Sequence, residues 1–270
     1  MLNILFWNLG RRSSTDAVVS IAREHSADIL LLAESEFSRE SLVTALNENQ
    51  DSLFFLDRGF SNRVQIYTRY MDDFFRPLQD HGGIAVRHIS PPVGKDVILV
   101  AVHLQSKLFS QEEDQSFACC NLNEIIKNNE KKVGHSRTIL MGDLNLNPFE
   151  SGVAYASGLN AVSDRRIARK GTRTIDGKRY RYFYNPMWNF FGDFSTRPPG
   201  TYFYDSGKCA NYYWHVFDQV LIRPDLIDYF EFDSLKIITE VNGFSLLTDQ
   251  GKPDRHKGSD HLPIILSLNL

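Results

Sequence analysis

The sequence predicts a mixed α/β fold of two packed sheets with helices outside, on three observations. Short apolar runs alternate with polar breaks, the opening reads as strand, helix, strand, and several strands end in polar residues that rigid backbone can aim into one cleft. The same pattern also fits a single doubly wound sheet. Of 270 residues, 42% are hydrophobic and 23% charged, with no repeat or low-complexity tract. At this length we expect one domain over residues 1–270.

Taken in order, Leu2 to Trp7 is an apolar β-rich run, Asp16 to Glu24 reads as helix, and Asp28 to Leu32 has the short apolar composition of a buried strand. Further strands are predicted at Val64 to Thr68, Ile84 to Ile89, Val97 to Leu104, Arg137 to Met141, Thr201 to Tyr204, Val216 to Ile222, Leu235 to Ile238 and Leu262 to Leu268. A long helix is predicted over Gln111 to Lys131, with Phe117, Cys120, Ile125 and Ile126 on or near one face. Asn8, Glu34, His103 and Asp143 each follow an apolar run.

The first apolar run has no basic region before it and meets Arg11-Arg12 after it, the wrong layout for a secretory signal. Uninterrupted apolar stretches such as Ile29 to Ala33 are far below the roughly 20 residues that span a bilayer. Three cysteines, Cys119, Cys120 and Cys209, form neither a metal-ligand set nor a disulfide framework. A cytoplasmic protein without integral membrane association is therefore expected. The net charge is only −3, but Ser163 to Arg181 holds eight Lys or Arg against two Asp, so this segment is +6 and the remainder −9. That asymmetry points to nucleic acid as a partner.

Two local signals carry chemistry. Met141-Gly142-Asp143-Leu144-Asn145 follows an apolar strand: Gly142 allows close backbone approach, and in an extended chain Asp143 and Asn145 project the same way. Gly258-Ser259-Asp260-His261 precedes a buried strand and sets a hard oxygen ligand beside an imidazole. A third feature, Asp218 within the apolar His215 to Ile222 run, is costly unless paired. Singly, each has a bland alternative: a helix cap for Asn8, a surface carboxylate for Glu34, a core histidine for His103, an Asp/Asn-rich turn for residues 143–148.

Together, Trp7-Asn8, Glu34, Val102-His103-Leu104, Gly142-Asp143-Leu144-Asn145, Phe217-Asp218-Gln219-Val220 and Ser259-Asp260-His261 resemble, in order, the motifs of the endonuclease/exonuclease/phosphatase superfamily. That superfamily includes exonuclease III-like and deoxyribonuclease I-like enzymes, inositol polyphosphate phosphatases and neutral sphingomyelinases. The resemblance implies a four-layer α/β/β/α sandwich of two packed mixed sheets. It also implies Glu34 as the main Mg²⁺ ligand with Asn8 and Asp260 beside the metal, and Mn²⁺ as an alternative ion. Asp143 would orient or deprotonate the attacking water, Asn145 would hold the scissile phosphate, and His261, steadied by Asp218, would contact a non-bridging oxygen or transfer a proton. His103 would bind phosphate or assist the leaving group.

Departures narrow the substrate. Met141, Asn147 and His215 to Gln219 do not match the inositol phosphatase pattern, and Gly10 stands where the exonuclease III-type opening places an acid or amide. The basic residues Arg165, Arg166, Arg169, Lys170, Arg173, Lys178, Arg179 and Arg181 are expected to track a phosphate backbone, with Tyr180, Tyr182, Phe183, Tyr184, Trp188, Phe190 and Phe191 available to stack on bases. The bland reading is a solvated charge run over core aromatics. A Mg²⁺-dependent nuclease leads. The alternatives are a lipid or small-molecule phosphodiesterase, meeting its substrate with the Tyr202 to Trp214 aromatics, and a non-catalytic nucleic-acid-binding module.

Overall fold

The computed structural model describes residues 1–11, 15–106, 112–193, 197–207, 209 and 211–270. The apolar runs become two large mixed sheets. The first has the order β16 (Lys236–Ile237), β19 (Ile264–Leu268), β1 (Leu2–Asn8), β2 (Ile29–Ala33), β4 (Val64–Thr68), β3 (Phe55–Leu56). The second has the order β5 (Phe75–His81), β6 (Ile84–Ile89), β7 (Val97–His103), β8 (Thr138–Asp143), β15 (Asp218–Ile222), β12 (Phe183–Tyr184), β9 (Ala161–Val162). At the centre of each lies a parallel pair, β1 with β2 and β7 with β8. These strands are buried on both faces, which is why they read as nearly continuous apolar runs. Three hairpins lie outside the main sheets: β10 (Thr172–Ile175) with β11 (Lys178–Arg181), β13 (Tyr202–Tyr204) with β14 (Tyr213–His215), and β17 (Glu240–Val241) with β18 (Phe244–Ser245).

Alternation along β7 defines the layers. Val97, Leu99 and Ala101 join the core between the sheets, whereas Ile98, Val100 and Val102 face a second core beneath α3 (Glu112–Val133). Helices α1 (Thr15–Glu24) and α2 (Arg39–Asn47) bury Val18, Ile21, Leu42 and Leu46 in the first core. The architecture is the expected α/β/β/α sandwich, completed by the short helices α4 (Ser151–Ala154) and α5 (Arg165–Ala168).

The predicted elements exist, with ends displaced by at most two residues, and Gln111 lies outside the described residues. The face assigned to α3 is a correction: Phe117 is 67% exposed, and the buried stripe is Gln115, Cys119, Leu122, Asn123, Ile126, Asn129 and Glu130. Polar residues occupy the buried side because each finds a partner. Asn123 donates to Gly158 O (2.6 Å), Asn129 to Gln79 Oε1 (2.8 Å), and Glu130 receives Thr138 Oγ1 (2.9 Å) and Arg223 Nε (2.8 Å). Hydrophobicity alone therefore mis-phased the helix.

Candidate active site

Strand register assembles the polar residues. Asp143 ends β8 and stands opposite His103 on one side and Asp218 on the other, so three titratable groups line adjacent strand ends. Gly142 makes this close pairing possible, since a Cβ there would sit 2.0 Å from the Val102 carbonyl oxygen. Asn8 ends β1 in the other sheet, and its Nδ2 donates to Asp143 Oδ2 (2.9 Å), joining the two sheets at the site. Its Oδ1 accepts from Gly10 N (3.1 Å), so both amide atoms are held.

The second half of the site comes from the turn before β19. Ser259 Oγ donates to Asn8 O (2.7 Å), Trp7 Nε1 donates to His261 O (3.0 Å), and Leu262 N donates to Thr201 O (2.8 Å). These bonds seat His261 against Asp218, with Nδ1 2.9 Å from Oδ2 and 3.2 Å from Oδ1, leaving Nε2 as the ring atom for a substrate. Burial alone would lower the His261 pKa, but the Asp218 carboxylate, with Asp143 and Asp260, outweighs it and holds the ring near 10. Asp143 moves up to about 6, chiefly through burial and then through Asp218, against the opposing effects of His261, the Asn145 amide and Asn8. The Asp218–His261 pair and Asp143 thus form a buried, polarised group.

Glu34 has φ +48, a left-handed conformation that is uncommon for a side chain bearing a Cβ, and its carboxylate is one-third exposed. It faces Arg11 Nε (3.8 Å) and His103 Nε2 (3.5 Å) across a cleft of about 400 Å³ that Arg39, Asn62 and Arg63 also line. His103 Nε2 lies 3.9 Å from Asp143 Oδ2, its Nδ1 is buried without a partner, and burial lowers its pKa despite Glu34. Asp260 is held by Arg255 (2.8 Å). Gly10, the departure noted above, has φ +53, and a Cβ there would come within 2.4 Å of Asp260 Oδ1. A side chain at residue 10 would therefore contest the space that Asp260 fills.

Asn145 corrects the extended-chain expectation. Its φ of +52 turns the backbone, Asp143 Oδ1 accepts its N–H (2.7 Å), and its Nδ2 donates to Leu104 O (3.0 Å). The residue lies beside Asp143 but does not project with it. The eight basic residues are not brought to the carboxylates. Tyr184 pairs with Ile222, at the far end of β15 from Asp218, and Arg181 approaches Glu130 near the start of β8. Several are engaged locally: Arg166 with Asp164, Arg169 with Asp228, and Arg165 over Phe232. Tyr182, Phe183 and Tyr184 are core residues, so they offer no stacking face. Sequence reasoning gave Tyr202 only as an aromatic for the lipid or small-molecule alternative, whereas its ring lies 4.6 Å from that of His261, and it missed Thr201 as a site residue, whose Oγ1 accepts from Asp218 N (3.3 Å). Gly200, which packs on the His215 carbonyl, was the available signal.

The closest carboxylate and imidazole donors here are Asp143, Asp218 and His261, within 4.8 Å of one another. Because Asp218 is engaged by His261, the remaining oxygen donors among the expected ligands that could hold a cation are the Glu34 and Asp260 carboxylates and Asn8 Oδ1. This donor set of hard oxygens without cysteine sulfur fits Mg²⁺ or Mn²⁺. A buried carboxylate of raised pKa, a charged imidazole and oxygen donors suited to a hard cation are what phosphate-ester hydrolysis requires.

A model of the endonuclease/exonuclease/phosphatase family matches residues 3–261, and the chain belongs to that family. No curated protein sequence matches it. Among solved structures it is similar to truncated Caenorhabditis elegans TDP2 (15% identity, TM-score 0.59, covering 99% of this chain and 97% of that one). It is also similar to an AP endonuclease from Archaeoglobus fulgidus (15%, 0.55, 100% and 100%) and to the 3′ phosphatase NExo from Neisseria bound to a product DNA hairpin (12%, 0.54, 100% and 100%). At these identities the likeness is one of fold. Membership of the family makes the chain a hydrolase of phosphate esters.

Proposed function

We propose that the chain is a Mg²⁺-dependent nuclease that cleaves phosphodiester bonds of DNA or RNA by water attack. The observation that carries this reading is the convergence of Asp143, Asn8, His103 and the Asp218–His261 pair at one sheet end, with Glu34 across the cleft. Asp143 would take the proton from the attacking water, since a carboxylate with a pKa near 6 is ionised at neutral pH yet still basic. His261, kept cationic by Asp218, would donate to a non-bridging phosphoryl oxygen through Nε2. His103 would bind phosphate or serve the leaving group, and Asn145 would help to position the Asp143 carboxylate. Glu34, Asn8 and Asp260 would hold Mg²⁺, which supplies charge neutralisation at the phosphoryl oxygens. Nucleic acid as substrate is supported by exposed aromatics near the site: Tyr204 stacks on Tyr202, which contacts His261, and Tyr212 contacts His215. Three free cysteines support a reducing compartment such as the cytoplasm.

The test is cleavage of end-labelled single- and double-stranded DNA and RNA with Mg²⁺, with EDTA, and by Asp143→Ala and His261→Ala. Cleavage lost on chelation and in both variants supports a nuclease. Failure on every nucleic acid, with turnover of a choline-headgroup lipid or a small phosphodiester, would transfer the same site to that substrate class.

A further inference from the structure

A second cluster of ligating side chains stands at the opposite end of the second sheet. His88 lies near the end of β6, Asp96 just before β7, and His135 between α3 and β8. One donor atom from each lies within 4.8 Å of the others. One strand and two connections of the sandwich therefore meet at two imidazoles and a carboxylate, and the proposed catalytic reaction uses none of them.

We propose that His88, Asp96 and His135 bind a Zn²⁺ ion. His88 Nε2 and Asp96 Oδ2 are 3.3 Å apart, about the separation of two ligands on a tetrahedral Zn²⁺ with bonds of roughly 2.1 Å. Ser90 Oγ, 3.5 Å from His88 Nε2, lies at the same position. The rings of His88 and His135 are 5.9 Å apart, tilted by 45°, so a modest rotation brings His135 to the third position. Independent support comes from His135 Nε2, which is buried without a hydrogen-bond partner. Its Nδ1 accepts the Arg137 amide (3.2 Å), which puts the proton of the neutral ring on Nε2. Zn²⁺ at Nε2 takes that proton's place, the ring becomes the Nδ1–H tautomer, and the Arg137 contact is given up; the neutral ring releases no net proton. Two imidazoles and one carboxylate select Zn²⁺ over Mg²⁺ and leave a fourth position for water. Entry is open, because the Asp96 side chain is 44% exposed and His135 also lines a cleft of about 700 Å³ with Lys131, Arg179 and Arg181.

The test is titration of the full chain with Co²⁺, whose visible spectrum separates a tetrahedral nitrogen-containing site from an octahedral oxygen site, followed by displacement with Zn²⁺. The expected result is an intense tetrahedral band, retained in Asp143→Ala and lost in His88→Ala and His135→Ala, with Zn²⁺ raising the Tm of the unaltered chain. Imidazole NMR signals of the unaltered chain report the same binding without substitution: His88 and His135 should shift with Zn²⁺. Unmoved imidazole signals, or a band that survives both histidine substitutions, would overturn the site and leave a His88–Asp96 ion pair only.

Discussion

Carboxylates are buried at both ends of the β7–β8 strand pair, and the two ends treat charge in opposite ways. At the C-terminal end, Asp143 is buried beside Asp218, with its pKa raised and Asn8 and the Asn145 amide holding its oxygens. At the N-terminal end, Glu130 is equally enclosed, but Arg223 and Thr138 bond one of its oxygens while Arg181 lies 3.7 Å from the other. One carboxylate is left in tension and the other is neutralised. Chemistry needs the first arrangement and stability the second.

The largest expected effect sharpens this contrast. Asp143→Ala and His261→Ala should each lower kcat about 10²–10⁴-fold, as loss of a positioned acid or base does, with the folded state retained by circular dichroism. Wild-type rates in both would break the contrast. Glu130→Ala should do the reverse: unfolding titration should show a loss of about 3–5 kcal/mol, as when a buried partner strands a charge, with kcat per folded molecule unchanged.

A pH profile probes the same contrast more gently. With Asp143 required ionised and His261 protonated, activity should rise through about pH 6 and fall toward about pH 10. Since the folded pKa of His261 lies above its ordinary 6.5, its contribution to stability is complete below that value and is lost as pH rises through about 10. Asp218→Asn removes the main raising cause, so the alkaline limb of the activity profile should move to lower pH. An unmoved limb would assign it to another group.

The central strands were legible in the sequence because burial on both faces leaves uninterrupted apolar runs such as Ile29 to Ala33 and Val97 to Val102. Strand ends were legible for the same reason, since Asn8, His103 and Asp143 break those runs. The short strands β9, β12 and β16 were illegible or blurred, because two residues carry no period. Linear proximity misled at the basic stretch: residues 165–181 fall between active-site motifs in sequence, yet β12 runs antiparallel to β15 and leaves that segment at the far end. Asn145 shows the limit of spacing arguments, because a left-handed turn cancels the period of two.

The C-terminal end of the second sheet is the proposed reactive end, and the most direct measurement is single-turnover cleavage of a labelled oligonucleotide by Asp143→Ala beside Lys131→Glu at the opposite end. The expected result is cleavage slowed by at least about 10²-fold in the first and within about twofold of wild type in the second, as a surface change far from the chemistry allows. Cleavage intact in Asp143→Ala and lost in Lys131→Glu would place the reaction at the other end of the sandwich and contradict that proposal.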